Sequence, residues 1–134
     1  MKEIFKISKD IIRAKDLFNT AKDRLNEIIP LFPRDKSYKI IEEYYEIIVQ
    51  LITSVMYFDG YKTLSHTGLI QYLSKNYKEF NGNAVNTIDI LRKLRHGIVY
   101  YGKQAEKEFL SNYEDSIKTI INNLIRIIEN KIQN

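Results

Sequence analysis

The sequence contains no cysteine. Disulfides, zinc–thiolate centres and thiol nucleophiles are therefore excluded, and the composition fits a reducing compartment. Only two histidines are present, His66 and His96, too few without thiols for a conventional metal site, so neither a metal nor a cofactor is expected. Long apolar runs are missing as well. The richest stretch, IIVQLITSVMYF, is interrupted by Gln, Thr and Ser and falls short of the ~20 residues that span a bilayer. The start, MKEIFKISKD, is charged at almost every other step, and no apolar run of roughly 7–15 residues follows it, so a signal peptide is not expected. A cytoplasmic chain of bacterial or archaeal type, without a membrane partner, is the expectation. Nucleotide-binding glycine loops, GxSxG and HExxH are all lacking.

What is present is a helical pattern. The chain has 134 residues, which fits one domain over residues 1–134 with one core. Prolines are confined to Pro30 and Pro33, and glycines to five positions, so helix breakers are few and clustered. Ile4, Ile7, Ile11, Ala14, Phe18, Ala21, Leu25 and Ile28 recur at alternating three- and four-residue steps and predict one long helix over residues 2–29. Pro30 and Pro33 end it. A second helix is expected from Asp35 or Ser37, with Ile41, Tyr44, Ile48, Leu51, Val55 and Phe58 as its stripe and Gly60 as its left-handed stop. Ser65 reads as the N-cap of a short third helix. A turn at residues 81–83 leads into a fourth, which Gly102 ends or bends, and a fifth is expected over residues 104–132. No stretch sustains a period of two, so no sheet is expected. The reading is all-α: an up-and-down bundle of four to five helices whose wide outer stripes favour a homodimer.

The densest polar cluster lies in the fourth helix. Ile88, Leu91, Leu94 and Ile98 define its buried side, and at about 100° per residue Arg92, His96 and Tyr100 line one flank, with Asp89 and Lys93 nearby. Arg95 projects close to the apolar arc. A guanidinium there either bridges to a carboxylate on a neighbouring helix, with Glu42, Glu43 and Glu46 as candidates, or faces a cleft where its fork of donors holds a phosphate. His96 is either an ordinary surface histidine or a general base or phosphate ligand with a pKa near neutrality. His66, at a helix start, reads as a capping or core-edge residue. The tyrosines are suited to stacking on bases or to filling the bundle. The net charge of +4 permits a nucleic-acid partner without requiring one.

Residues 37–103 resemble the HEPN superfamily, small helical prokaryotic proteins often paired with a minimal nucleotidyltransferase. The resemblance is carried by Tyr44 and Tyr45, then Gly60, then His66 and Leu69, and finally the run Leu91 to Gly102. It implies a helical bundle that dimerises so that an arginine and a histidine from each protomer meet in a cleft. Many members are metal-independent ribonucleases acting as toxins or in defence, whereas others are binding or scaffold domains. By position Arg95 matches the family arginine, Tyr100 stands where the catalytic histidine would be, and His96 stands where asparagine is common. A tyrosine titrating near ~10 is a poor general base at neutral pH, which separates phosphate binding from cleavage. In the toxin branch a tyrosine just after the histidine is modified by the partner enzyme. Its strict counterpart here is Gly102, with Tyr101 one position away.

The function expected is that of a homodimeric helical protein that binds RNA, a nucleotide or a nucleotidyltransferase partner through residues 92–101. Arg95, His96 and Tyr100 are the candidate catalytic set, and Arg92, Lys93 and Tyr101 the candidate substrate-binding set. The alternatives are a metal-independent endoribonuclease using Arg95 and His96, and a purely structural interaction module.

Overall fold

A helix that is apolar over most of its circumference must be covered from several sides, and residues 37–59 form such a helix. The computed structural model describes residues 3–103 and 107–134. In chain order they form β1 (Ile4–Lys6), α1 (Ile11–Asp23), a π-helical turn (Arg24–Ile28) and a 3₁₀ turn (Ile29–Leu31), then α2 (Ser37–Asp59), β2 (Tyr61–Thr63), α3 (His66–Asn76), α4 (Gly82–Tyr101) and α5 (Lys107–Gln133). The architecture is an all-α bundle, as the periodicity indicates. Helix α2 is its axis and packs against α1, α3, α4 and α5. Its expected stripe is buried, and so are Ile40, Tyr45, Ile47, Ile52 and Met56 on the remaining sides. The stripe seen in the sequence was only part of the apolar surface because α2 has no broad solvent face.

Two expectations are corrected at the N-terminal end. Residues 4–6 are not helical but pair antiparallel with β2, with Phe5 opposite Lys62. Helix α1 starts only at Ile11, where the Asp10 carboxylate accepts the Arg13 N–H at 3.0 Å and caps the helix. The Ile4–Ile7–Ile11 spacing mimicked a helix because extended residues beyond a cap obey no helical period. The expectation of no sheet fails for the same reason: two three-residue strands are too short for alternation to register. The expected residue Lys2 lies outside the described residues, as does the expected start of α5 at Gln104.

Helix boundaries follow local chemistry elsewhere. Helix α2 begins at Ser37 itself, with Lys36 in the cap position and no side-chain cap, so neither Asp35 nor Ser37 plays the expected capping role. Gly60 ends α2 with φ 87° and Gly102 ends α4 with φ 63°, the left-handed stop that glycine adopts without strain. Ser65 caps α3 by accepting the Gly68 N–H at 2.9 Å, and a Cβ at Gly68 would collide with the Thr63 side chain. Asn81 caps α4 through the Asn83 and Ala84 N–H groups. No helix among the described residues is long and apolar enough to cross a membrane.

At the C-terminal end of α2, Asp59 joins three elements. One carboxylate oxygen accepts the Tyr72 and Tyr77 hydroxyls, each at 2.5 Å, and the other accepts the Lys131 ammonium at 2.6 Å. Burial alone would raise the Asp59 carboxyl, but these three donors outweigh it and hold the group below its ordinary 3.8. A depressed native pKa adds stability that is present above 3.8 and is lost as pH falls towards the native value. Asp59→Asn is expected to lower stability by roughly 1.5–3 kcal/mol in urea unfolding at neutral pH, the scale of hydrogen bonds to a charged group. It should also flatten the decline of stability in acid.

Candidate nucleic-acid interface

Helix α4 displays two faces to two different neighbours. On its inner side Leu91 and Ile88 are fully buried against α2. Beside them Arg95 reaches back to α2. Its Nη2 lies 3.4 Å from Glu46 Oε1, and its guanidinium carbon sits 5.5 Å from the centre of the Tyr45 ring. Of the three carboxylates considered, Glu46 is the partner. The pair is made through one long contact, with 31% and 38% of the two side chains exposed. It orients Arg95 while contributing little stability.

Tyr45 links this pair to α3. Its hydroxyl lies 2.8 Å from His66 Nδ1. The other imidazole nitrogen, Nε2, is buried without a hydrogen-bond partner among the described residues. Burial lowers the His66 pKa, the Arg92 charge lowers it further, and Asp89 opposes both. Burial also raises the Tyr45 hydroxyl, against the pull of Arg95 and then Arg92. The pair is therefore neutral at physiological pH. His66 was read from the sequence as a capping or core-edge residue. The cap is Ser65, and His66 sits at the core edge.

On its outer side α4 carries the remaining predicted residues. Arg92, Lys93, His96 and Tyr101 line one cleft of about 270 Å³ together with Gly97 and Lys103. Helical spacing assembles it: Arg92 and His96 lie one turn apart, and Lys93, Gly97 and Tyr101 follow the adjacent row. The left-handed Gly102 then turns the chain back, and the Lys103 N–H donates to the Gly97 carbonyl at 3.1 Å. The Lys103 stem lies against Gly97, where a Cβ would sit 3.3 Å from Lys103 Cδ. Tyr100 packs its ring 4.8 Å from His96, and Tyr101 lies 5.8 Å away on the same imidazole. Tyr100 and Tyr101 are 64% and 70% exposed.

The six predicted site residues thus divide. Arg92, Lys93, His96 and Tyr101 share the cleft, Tyr100 packs its ring at a tilt against His96 outside the lining, and Arg95 faces away towards Glu46. Sequence reasoning missed Lys103, although a left-handed glycine one residue earlier signals a chain folding back over the last turn. It also missed the Tyr45–His66 contact, which no local pattern encodes. Asp89 holds both Arg92 and Lys93 at 3.1 Å. All three side chains are at least one-third exposed, and surface pairs of this kind are worth about 0–1 kcal/mol, so an incoming anion can replace Asp89. Among the described residues no three His, Cys, Asp or Glu side chains gather as a metal site would require. The chain matches no protein-family model and no curated protein.

The half-buried His66 generates a pH dependence. Its native pKa lies below the ordinary 6.5, so the unfolded chain takes up the proton first. The thermal midpoint should be level above pH 6.5 and fall as pH drops from there towards the native value. His66→Gln should remove that part of the slope, as read by circular dichroism melts across the pH range.

Proposed function

We propose that the outer face of α4 binds a single RNA strand. The observation that carries this reading is the cleft itself. Arg92, Lys93 and Lys103 converge beside His96 and Tyr101, with a second exposed aromatic, Tyr100, tilted against the same imidazole at 45°. Cations that follow a backbone, interleaved with exposed aromatic rings, are the combination that single-strand binding uses. The HEPN resemblance of residues 37–103 supports the same class of ligand. The Glu46 pair shifts the phosphate contacts from Arg95 to Arg92, Lys93 and Lys103. The endoribonuclease alternative needs Arg95 and His96 at one phosphate. Within one chain Arg95 is turned to Glu46, so a second protomer would have to complete such a site.

A second reading draws on the exposed edge formed by Val99, Tyr100 and Tyr101. Exposed apolar groups in a row also suit a protein contact, either a second copy, as in the homodimer expected from sequence, or a nucleotidyltransferase partner. The two readings separate experimentally. For RNA binding, Arg92→Gln and Lys93→Gln should each weaken a fluorescently labelled single-stranded RNA by about 3- to 10-fold and reduce the salt slope by roughly 0.7 per cation. Tyr101→Ser should weaken it by at least about fivefold, with Arg95→Gln within about twofold of the parent chain. Binding that is undetectable, or indifferent to all of these changes, would overturn the reading. Self-association instead predicts that Tyr100→Ser and Tyr101→Ser lower the sedimentation coefficient.

A further inference from the structure

A groove of about 500 Å³ lies between α4 and α5 and adjoins the cationic cleft. Lys93, Gly97 and Lys103 line both. The two chambers differ in chemistry. One wall of the groove is the row Ile90, Leu94 and Ile98 on α4, spaced a turn apart. The other is Phe109 and Tyr113 on α5, whose rings stack at 4.9 Å and 20° between planes. Asn112 and Glu108 stand at the α5 side of the lining. The volume is in the range of roughly 300–1,000 Å³ typical of small-ligand sites. An apolar slot beside a cationic cleft selects a ligand with the same asymmetry, a flat ring carrying a phosphate.

We infer that the α4–α5 groove accepts the base of a nucleotide whose phosphate lies over Lys93 and Lys103 in the adjoining cleft. The base inserts against Leu94, Ile98 and the Phe109–Tyr113 pair. Asn112 supplies a donor and an acceptor, and Glu108 an acceptor, for the base edge. Gly97 marks the boundary between the two chambers, with the Lys103 stem beside it, and both residues line each of them. This deepens the RNA reading and rests on it: the strand lies along the cleft and one base turns into the groove.

The test uses the full chain, labelled with ¹⁵N, and titrates adenosine 5′-monophosphate, ribose 5-phosphate and a short single-stranded RNA. The expected result is that the mononucleotide binds at least about tenfold more tightly than ribose 5-phosphate, the scale of one stacked base. Backbone resonances of Leu94, Ile98, Phe109 and Tyr113 should move with the mononucleotide only. Leu94→Trp, which fills the groove, should abolish the difference. Asn112→Ala, on an exposed side chain, should reduce it about threefold without affecting the fold. Equal affinities for the two phosphates, or groove resonances that move with protein concentration alone because a second copy fills the slot, would overturn the inference. If RNA binds and depends on Arg92 while the two phosphates are indistinguishable, the groove assignment fails and the RNA face stands. If the mononucleotide enters the groove and the RNA strand does not bind, the strand reading fails instead.

Discussion

The apolar circumference of α2 is the constraint on which the bundle depends. With Ile40, Ile48, Leu51 and Val55 inaccessible to solvent, the helix is stable only inside a sheath, and α1, α3, α4 and α5 supply it. The few polar side chains of α2 then become the points at which the sheath is tied in place. Glu43 takes Arg24 at 2.9 Å. The Tyr44 hydroxyl meets Glu114, which is also held by a two-pronged contact with Arg34. Tyr45 reaches α3 through His66, Glu46 reaches α4 through Arg95, and Asp59 gathers α3 and α5. Apolar burial supplies the driving force, which has no direction. The polar ties, each at a different place along one helix, select which neighbour lies against which side.

This division explains why α4 carries a charged outer flank. The helix is anchored on its inner side by Leu91 and Ile88, and its cations Arg92 and Lys93 lie off that buried line. Among the described residues Arg92 and Lys93 both pair with Asp89, on their own helix. Both arginines are held by partly exposed carboxylates and differ in direction: Arg92 opens on the cleft, whereas Arg95 is aimed across the helix interface at Glu46. The same residue types on one helix therefore serve two different purposes, decided by which side of the core line they fall on.

The sequence was most informative where periodicity is long and uninterrupted. The bundle, the glycine stops at Gly60 and Gly102, the Ser65 cap and the grouping of Arg92, His96 and Tyr100 on one flank were all readable, because each depends on neighbours within a turn or two. The β1–β2 pairing was not, since it joins residues far apart in the chain and each strand is three residues long. Arg95 was legible as an anomaly, with Glu46 among its possible partners. Choosing Glu46 required the registration of α4 against α2, which no spacing rule supplies. The Tyr45–His66 contact and the return of Lys103 across Gly97 share that dependence on three-dimensional approach. The π-helical turn at Arg24–Ile28 has no sequence signature that we can identify.

The clearance at Gly68 reaches further than its size suggests. A Cβ there would overlap the Thr63 side chain, so α3 and the β2 segment would have to separate, and His66, two residues earlier, would travel with α3. Its imidazole would leave the Tyr45 hydroxyl, and Tyr45 is the platform beneath Arg95. A hydrogen atom in place of a methyl group at one helix start thus sets the tolerance to which a side chain on another helix is aimed.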